Sequence, residues 1–235
     1  MQHSIYRFAN FVLRFVLYGF FLLGTACTPA THTAALEPIR VQYSFAAQPW
    51  LGNITNCAGK NIVAVELRAV DFQDAKSADL VIRIGQPDNL ITPAYQIGSD
   101  DLLVIVNHQN PLKKLTADQV RAFFTGRIQT WKAINGTDTP VQVWVFPTGE
   151  DVQQVFEQSV LGGSPVTSLS RLANSPGEMS QAISKDANAI GILTRRWKTG
   201  STSDVFAAAS HLPVMAITQS EPQGALVTIL ACLQK

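Results

Sequence analysis

VIVNHQNPLKKLTADQVRAFFTGRIQTW, residues 104–131, decides how this 235-residue chain reads. An apolar run ends at Asn107, an Asn-x-x-Asn-Pro segment turns the chain, and Leu115-Thr116 opens a helix that Gly126 stops ahead of Trp131. Thr116 and Gln119 have the spacing of a capping box, and Gly126 sits where a left-handed C-cap belongs. The stretch is one strand–loop–helix unit with both helix ends specified. It predicts an α/β protein.

The alternation continues on both sides. Residues 39–45, 62–67, 78–85, 102–106, 141–145, 189–193 and 214–217 read as strands. The 102–106 run is almost wholly apolar, as in a central strand covered on both faces. The 78–85 strand ends at Gly85, a place where loops at a binding cleft begin. Residues 50–57 predict a short helix, and Phe146–Asp151 leads into another that runs through Phe156. Ser175-Pro176-Gly177-Glu178 combines a cap, a Pro at the first helical position and an acid three residues on. That helix is expected to bury Met179, Ala182 and Ile183. Ser220-Glu221-Pro222-Gln223 has the same logic and predicts the start of a last helix with Leu226, Ile229, Leu230 and Leu233 in its apolar stripe. No internal repeat or low-complexity segment is visible.

The V-N, N-P, L-T, F-x-G and W landmarks of 104–131 resemble a signature of the solute-binding proteins that serve phosphate-type ABC transporters. Phe146–Phe156 and Asn188-Ala189-Ile190-Gly191-Ile192, similar to that family's A-I-G-Y strand, extend the resemblance over about 101–193. It implies a type II periplasmic-binding-protein fold, with two α/β lobes crossed twice by the chain and a ligand in the cleft. Lobe 2 would span 98–204. Lobe 1 would combine 38–97 with 205–235 and would be reduced. The implied partners are a small-molecule solute and an ABC permease; the protein would be a monomer and need no cofactor.

Arg7, Arg14 and the apolar run 15–24 resemble a secretory signal, since about ten apolar residues are too few to span a bilayer. Gly24-Thr25-Ala26-Cys27 resembles a lipobox, although Gly24 stands where Leu is common. The expectation is a signal peptide over 1–26, a lipidated Cys27 and a tether over 27–37, which anchor the protein outside the cytoplasm. An ordinary cleaved signal is the other reading. Cys57 and Cys232 then remain, either as a disulfide, which such a compartment permits, or as two buried thiols. With 18 Lys and Arg against 17 Asp and Glu and no basic run, nucleic-acid binding has no electrostatic support. No His stands in a nucleophile context, and no HExxH, GxSxG, P-loop or metal-site spacing occurs, so no enzyme and no metal centre is expected.

Phosphate binders of the resembled family hold the oxyanion by donors at helix N-termini and an Arg, with a loop of the form R-x-x-G-S-G-T. The matching loop here is Phe146-Pro147-Thr148-Gly149-Glu150-Asp151-Val152. Thr148 and Gly149 keep some donor chemistry, Phe146 replaces the Arg, and Glu150 and Asp151 bring carboxylates that repel a dianion. The first-strand loop departs too, reading Ser44-Phe45-Ala46-Ala47-Gln48-Pro49-Trp50. Arg83 either supplies positive charge or pairs with an acid. The candidate ligand set is Ser44, Gln48, Trp50, Arg83, Gly85, Thr148, Gly149, Glu150 and Asp151, which suits a polar or partly cationic solute better than phosphate. The plainer alternatives are that Glu150 and Asp151 form a solvated helix start and that Trp50 is core. Trp131 and Trp144 read as core, and Lys113-Lys114 and Arg195-Arg196 as solvated faces. The function expected is membrane-anchored solute binding for an ABC-type system. The alternative is a ligand-sensing or scaffold lipoprotein without transport.

Overall fold

The computed structural model describes residues 37–61, 63–67, 78–87 and 89–235. The expected signal peptide 1–26, Cys27 and the tether up to residue 36 lie outside the described residues, as does Ile62. One sheet contains β1 (Ile39–Tyr43), β2 (Val63–Leu67), β3 (Leu80–Ile84), β4 (Ala94–Asp100) and β10 (Leu212–Ile217) in the order β2-β1-β3-β10-β4. The other contains β5 (Leu102–Asn107), β6 (Gln142–Val145), β7 (Arg171–Leu172), β8 (Ala189–Thr194) and β9 (Thr202–Ala207) in the order β7-β6-β8-β5-β9. Each sheet has three parallel strands, then one antiparallel strand placed between the third and an edge strand. The inserted strands are β10 and β5, each of which directly follows a crossing. Two sheets of one plan thus stand on sequences that show no repeat. The expected lobe limits at 97/98 and 204/205 fall inside β4 and β9.

Helix α1 (Leu51–Ala58), preceded by a 3-10 turn over Phe45–Trp50, packs with α5 (Ala225–Leu233) in the first lobe. Cys57 of α1 and Cys232 of α5 are joined as a disulfide with their Cα atoms 5.7 Å apart. The second lobe has α2 (Ala117–Phe124), α3 (Asp151–Ser159) and α4 (Pro176–Lys185). Its core includes two aromatic pairs, Phe124 edge-on to Phe156 at 4.6 Å and Phe123 against Trp131 at 4.9 Å. Every residue of β5 is buried, as its apolar run requires.

The caps read from sequence are mostly present. Gln119 N–H donates to Thr116 Oγ1 at 3.2 Å, and Thr116 N–H donates to Gln119 Oε1 at 2.8 Å. Gly126 follows with φ +78°. Glu178 N–H donates to Ser175 Oγ at 3.1 Å. Two details differ. Helix α4 buries Ser180 with Met179 and Ile183, leaving Ala182 half-buried. The last helix starts at Ala225, not behind Ser220, because the Thr218 hydroxyl holds the Ser220 carbonyl in a bend and Gly224 becomes the cap at φ 56°. The first strand also ends early, at Tyr43, since Phe45 already belongs to the 3-10 turn.

The Asn-x-x-Asn-Pro turn has a structural purpose. Asn107 is buried, and its Nδ2 donates to the carbonyls of Ile183 (3.0 Å) and Ser184 (2.8 Å), in the last turn of α4. Its Oδ1 accepts from Gln109 N–H, while Asn110 Nδ2 reaches Ala187 O. One side chain therefore satisfies two carbonyls that the helix leaves orphaned. Asn107→Ala is expected to lose about 2–3 kcal/mol, from two hydrogen bonds and the buried carbonyls left behind. Urea unfolding tests this; an unchanged midpoint would show that water replaces the amide.

Candidate functional site

The two lobes meet where α3 begins. Asp151, its first residue, is only 4% exposed although it lies in the loop-to-helix step that sequence reads as solvated or ligand-facing. Its Oδ2 accepts the Ser44 hydroxyl at 2.5 Å and the Ile84 N–H at 2.7 Å, both from the opposite lobe. Its Oδ1 accepts Val152 N–H at 2.8 Å. Ser44 is set in place by its own N–H, which donates to Ile82 O at 3.0 Å. Burial pushes the Asp151 carboxyl up, and the Ser44 and Ile84 donors, with Arg83 nearby, pull against that rise.

Glu150 is half-buried beside it. Burial, then the neighbouring Asp151 charge, raises its pKa from 4.5 to about 7. The unfolded chain releases this proton near 4.5 and the folded protein near 7, so the folded form binds more protons between those values. Stability then falls as pH rises through that window and is greatest below it. The Tm is expected to be higher at pH 5 than at pH 7.5, with a smaller difference in Glu150→Gln. Equal pH dependence in the two proteins would show Glu150 to be fully solvated.

Other members of the expected set occupy varied places. Arg83, 7% exposed, donates from Nη2 to Gln154 Oε1 of α3 at 3.3 Å, another contact between lobes. Gly85 has φ +78°, and a Cβ there would lie 2.5 Å from Val155 Cγ2, so α3 can approach β3 only over a glycine. Gly149 has φ 102° and is half-buried in the turn before Glu150. Gln48 and Thr148 are exposed and do not join the Ser44–Asp151 cluster. Trp50 is 5% exposed, with its ring on Gly98 and the Arg196 guanidinium 4.1 Å from the ring centre. It is core, as the plainer reading had it. Trp131 is core as well, whereas Trp144 is half-buried under Arg171.

More contacts close the crevice. Trp197 Nε1 donates to Ala46 O at 3.2 Å across the lobes. The space left among Phe45, Phe146, Glu150 and Ser175 is about 10 Å³, at the lower limit for one water. Asp101, at the first crossing, accepts Arg195 Nε at 2.6 Å and also bonds His211, near the second crossing. Those hydrogen bonds, Arg195's first, hold the Asp101 carboxyl below its ordinary range. Arg195 and Arg196 are therefore exposed but engaged, and the sequence signal for this cluster is nil because its members lie up to 110 residues apart.

A two-lobed α/β protein with a crevice between twice-crossed lobes is the architecture of a periplasmic binding protein. The model of the PBP superfamily domain matches residues 93–230, more than half of the chain, and the protein belongs to that family. Its fold is that of a phosphate ABC transporter substrate-binding protein from Clostridium perfringens solved with bound phosphate (TM-score 0.74, 18% identity, 84% of this chain and 93% of that one). An ABC-type phosphate transport receptor from Vibrio cholerae is similar too (TM-score 0.66, 17% identity, 84% and 93% covered). The reduced regulatory domain of OxyR from Pseudomonas aeruginosa shares the fold at TM-score 0.59 and 9% identity, over 84% of this chain and 96% of that one. At such identities the likeness is one of fold.

Proposed function

We propose that the protein is an extracytoplasmic solute-binding protein, anchored through a lipid on Cys27, that takes a polar or cationic solute other than phosphate and presents it to an ABC permease. The family and the fold support solute binding. The observation that carries the choice of ligand is the acid pair Glu150 and Asp151 at the meeting face of the lobes. Acids there disfavour an anionic ligand in either of two ways: by charge, on the order of 3 kcal/mol for a carboxylate ~5 Å away at an effective dielectric near 20, or by taking the donors that the anion would need.

Thermal unfolding with excess phosphate and with a panel of neutral and cationic solutes tests this. Saturation at 100 times Kd adds ~2.7 kcal/mol, a rise of roughly 5–10 °C in Tm for a chain of this size. A rise with phosphate would defeat the ligand assignment, and no rise with any solute would defeat solute binding. Cys27→Ser is expected to move the protein from the membrane to the soluble fraction; unchanged fractionation would remove the anchor. A second reading, a lipoprotein that senses a ligand or acts as a scaffold without transport, is supported by the small space, about 10 Å³, left among Phe45, Phe146, Glu150 and Ser175. A change of shape by small-angle scattering on adding solute would favour either ligand-binding version over the scaffold, and a permease encoded beside the protein would favour transport over sensing.

A further inference from the structure

We infer that Asp151 is a tethered substitute for a bound oxyanion: its carboxylate occupies the donors Ser44 Oγ and Ile84 N–H across the crevice, and this occupation, rather than charge acting at a distance, keeps oxyanions out. The inference rests on the proposed solute-binding role for its setting and names the residue that fixes specificity there. Two donors of the first lobe converge on one oxygen of Asp151, at 2.5 and 2.7 Å. A hydroxyl and a backbone N–H aimed at a single acceptor form the donor arrangement that selects a dehydrated anion. The acceptor is supplied by the chain itself and is buried to 4% exposure, so it cannot trade its partners for water.

The surroundings agree. Burial raises the Asp151 carboxyl, and the Ser44 and Ile84 donors, with the charge of buried Arg83 on β3, oppose that rise. Gly85 lets Val155, on the first turns of α3, come within reach of β3, and so lets Asp151 reach Ile84. Arg83 also holds Gln154 of the same helix. Helix α3 is thus seated on the end of β3 by three consecutive contacts, from Asp151, Gln154 and Val155. An internal anion of this kind closes the lobes with no solute in between, and agrees with the small space that remains beside it.

Occupation and repulsion make different predictions for two variants. Asp151→Ser removes the acceptor and its charge, freeing both donors and the volume of a carboxylate. Asp151→Asn removes the charge but keeps an oxygen that accepts from Ser44 and Ile84. Calorimetric titration of the full-length protein with inorganic phosphate, at pH 7.5, is the experiment. Expected are no saturable binding to the native protein or to Asp151→Asn and 1:1 binding to Asp151→Ser, so that any residual affinity of Asp151→Asn is at least about tenfold weaker. Adding Ser44→Ala to Asp151→Ser should then weaken phosphate again. Should Asp151→Ser be unfolded alone, phosphate is expected to restore its native circular dichroism by supplying the missing acceptor. Equal phosphate binding by the Asn and Ser variants would overturn occupation in favour of charge, and no gain or rescue in Asp151→Ser would overturn the subsite altogether. Either failure leaves the solute screen of the native protein unaffected, so the two readings fail separately.

Discussion

Opening the Cys57–Cys232 bridge, by reduction or by replacing both cysteines with Ser, is expected to lower stability by about 5 kcal/mol, a fall in Tm of roughly 10–20 °C. The two cysteines are 175 residues apart, and in the chain-entropy view the freedom that a cross-link removes from the unfolded chain grows with the length of the loop it closes. The bridge also ties the last helix, α5, to α1, and so holds the C-terminal end of the chain on the first lobe. Urea unfolding with and without reductant checks this. A larger m-value on reduction would accompany the loss, because the freed unfolded chain exposes more surface. An unchanged midpoint would mean that α1 and α5 hold each other by packing alone.

Trp50→Ala should cost about 3–5 kcal/mol, the range for deleting a buried aromatic side chain, with the loss of the Arg196 contact included. The ring fills the space over Gly98, where even a Cβ would come within 2.2 Å of it, so nothing can settle into the hole from that side. Its Nε1 has no hydrogen-bond partner among the described residues, and Trp50→Phe should therefore cost only volume, ~1.5 kcal/mol or less. Thermal unfolding ranks the three proteins. Were Trp50 a ligand platform, Trp50→Ala would abolish solute binding with its Tm almost unmoved; the burial of the ring predicts the reverse.

What was legible in the sequence is what neighbouring residues decide. The capping box at Thr116, the glycine stop at Gly126 and the Ser175-Pro176 helix start depend on atoms within four residues, and all three are found as read. The α/β alternation and the landmarks of 104–131 likewise carry the family. At Ser220-Glu221-Pro222-Gln223 the local pattern is sound, yet a hydroxyl two residues earlier bends the chain and postpones the helix to Ala225. Asp151 shows a deeper limit. An acid at the first position of a helix satisfies the helix dipole whether water, a solute or another lobe lies beyond it. Only the approach of Ser44, 107 residues away, decides among them, and nothing near Asp151 encodes that distance. The common plan of the two sheets was hidden for a related reason: strand pairing needs a pattern of apolar side chains, not a repeated set of residues.

The insertion of β10 between β3 and β4 dictates an order of events for the newborn chain. Synthesis runs from the N-terminus, so β5 to β9 are all available once residue 207 has emerged, and that half can complete its sheet. The half that begins the chain must wait. Until residues 212–217 arrive, β3 and β4 each present an unpaired edge, the kind of surface that recruits strands from other molecules. The part made first is finished last. A message cut short anywhere between codons 208 and 217 would therefore yield one folded lobe carrying an adhesive, half-built partner, and not a smaller version of the protein.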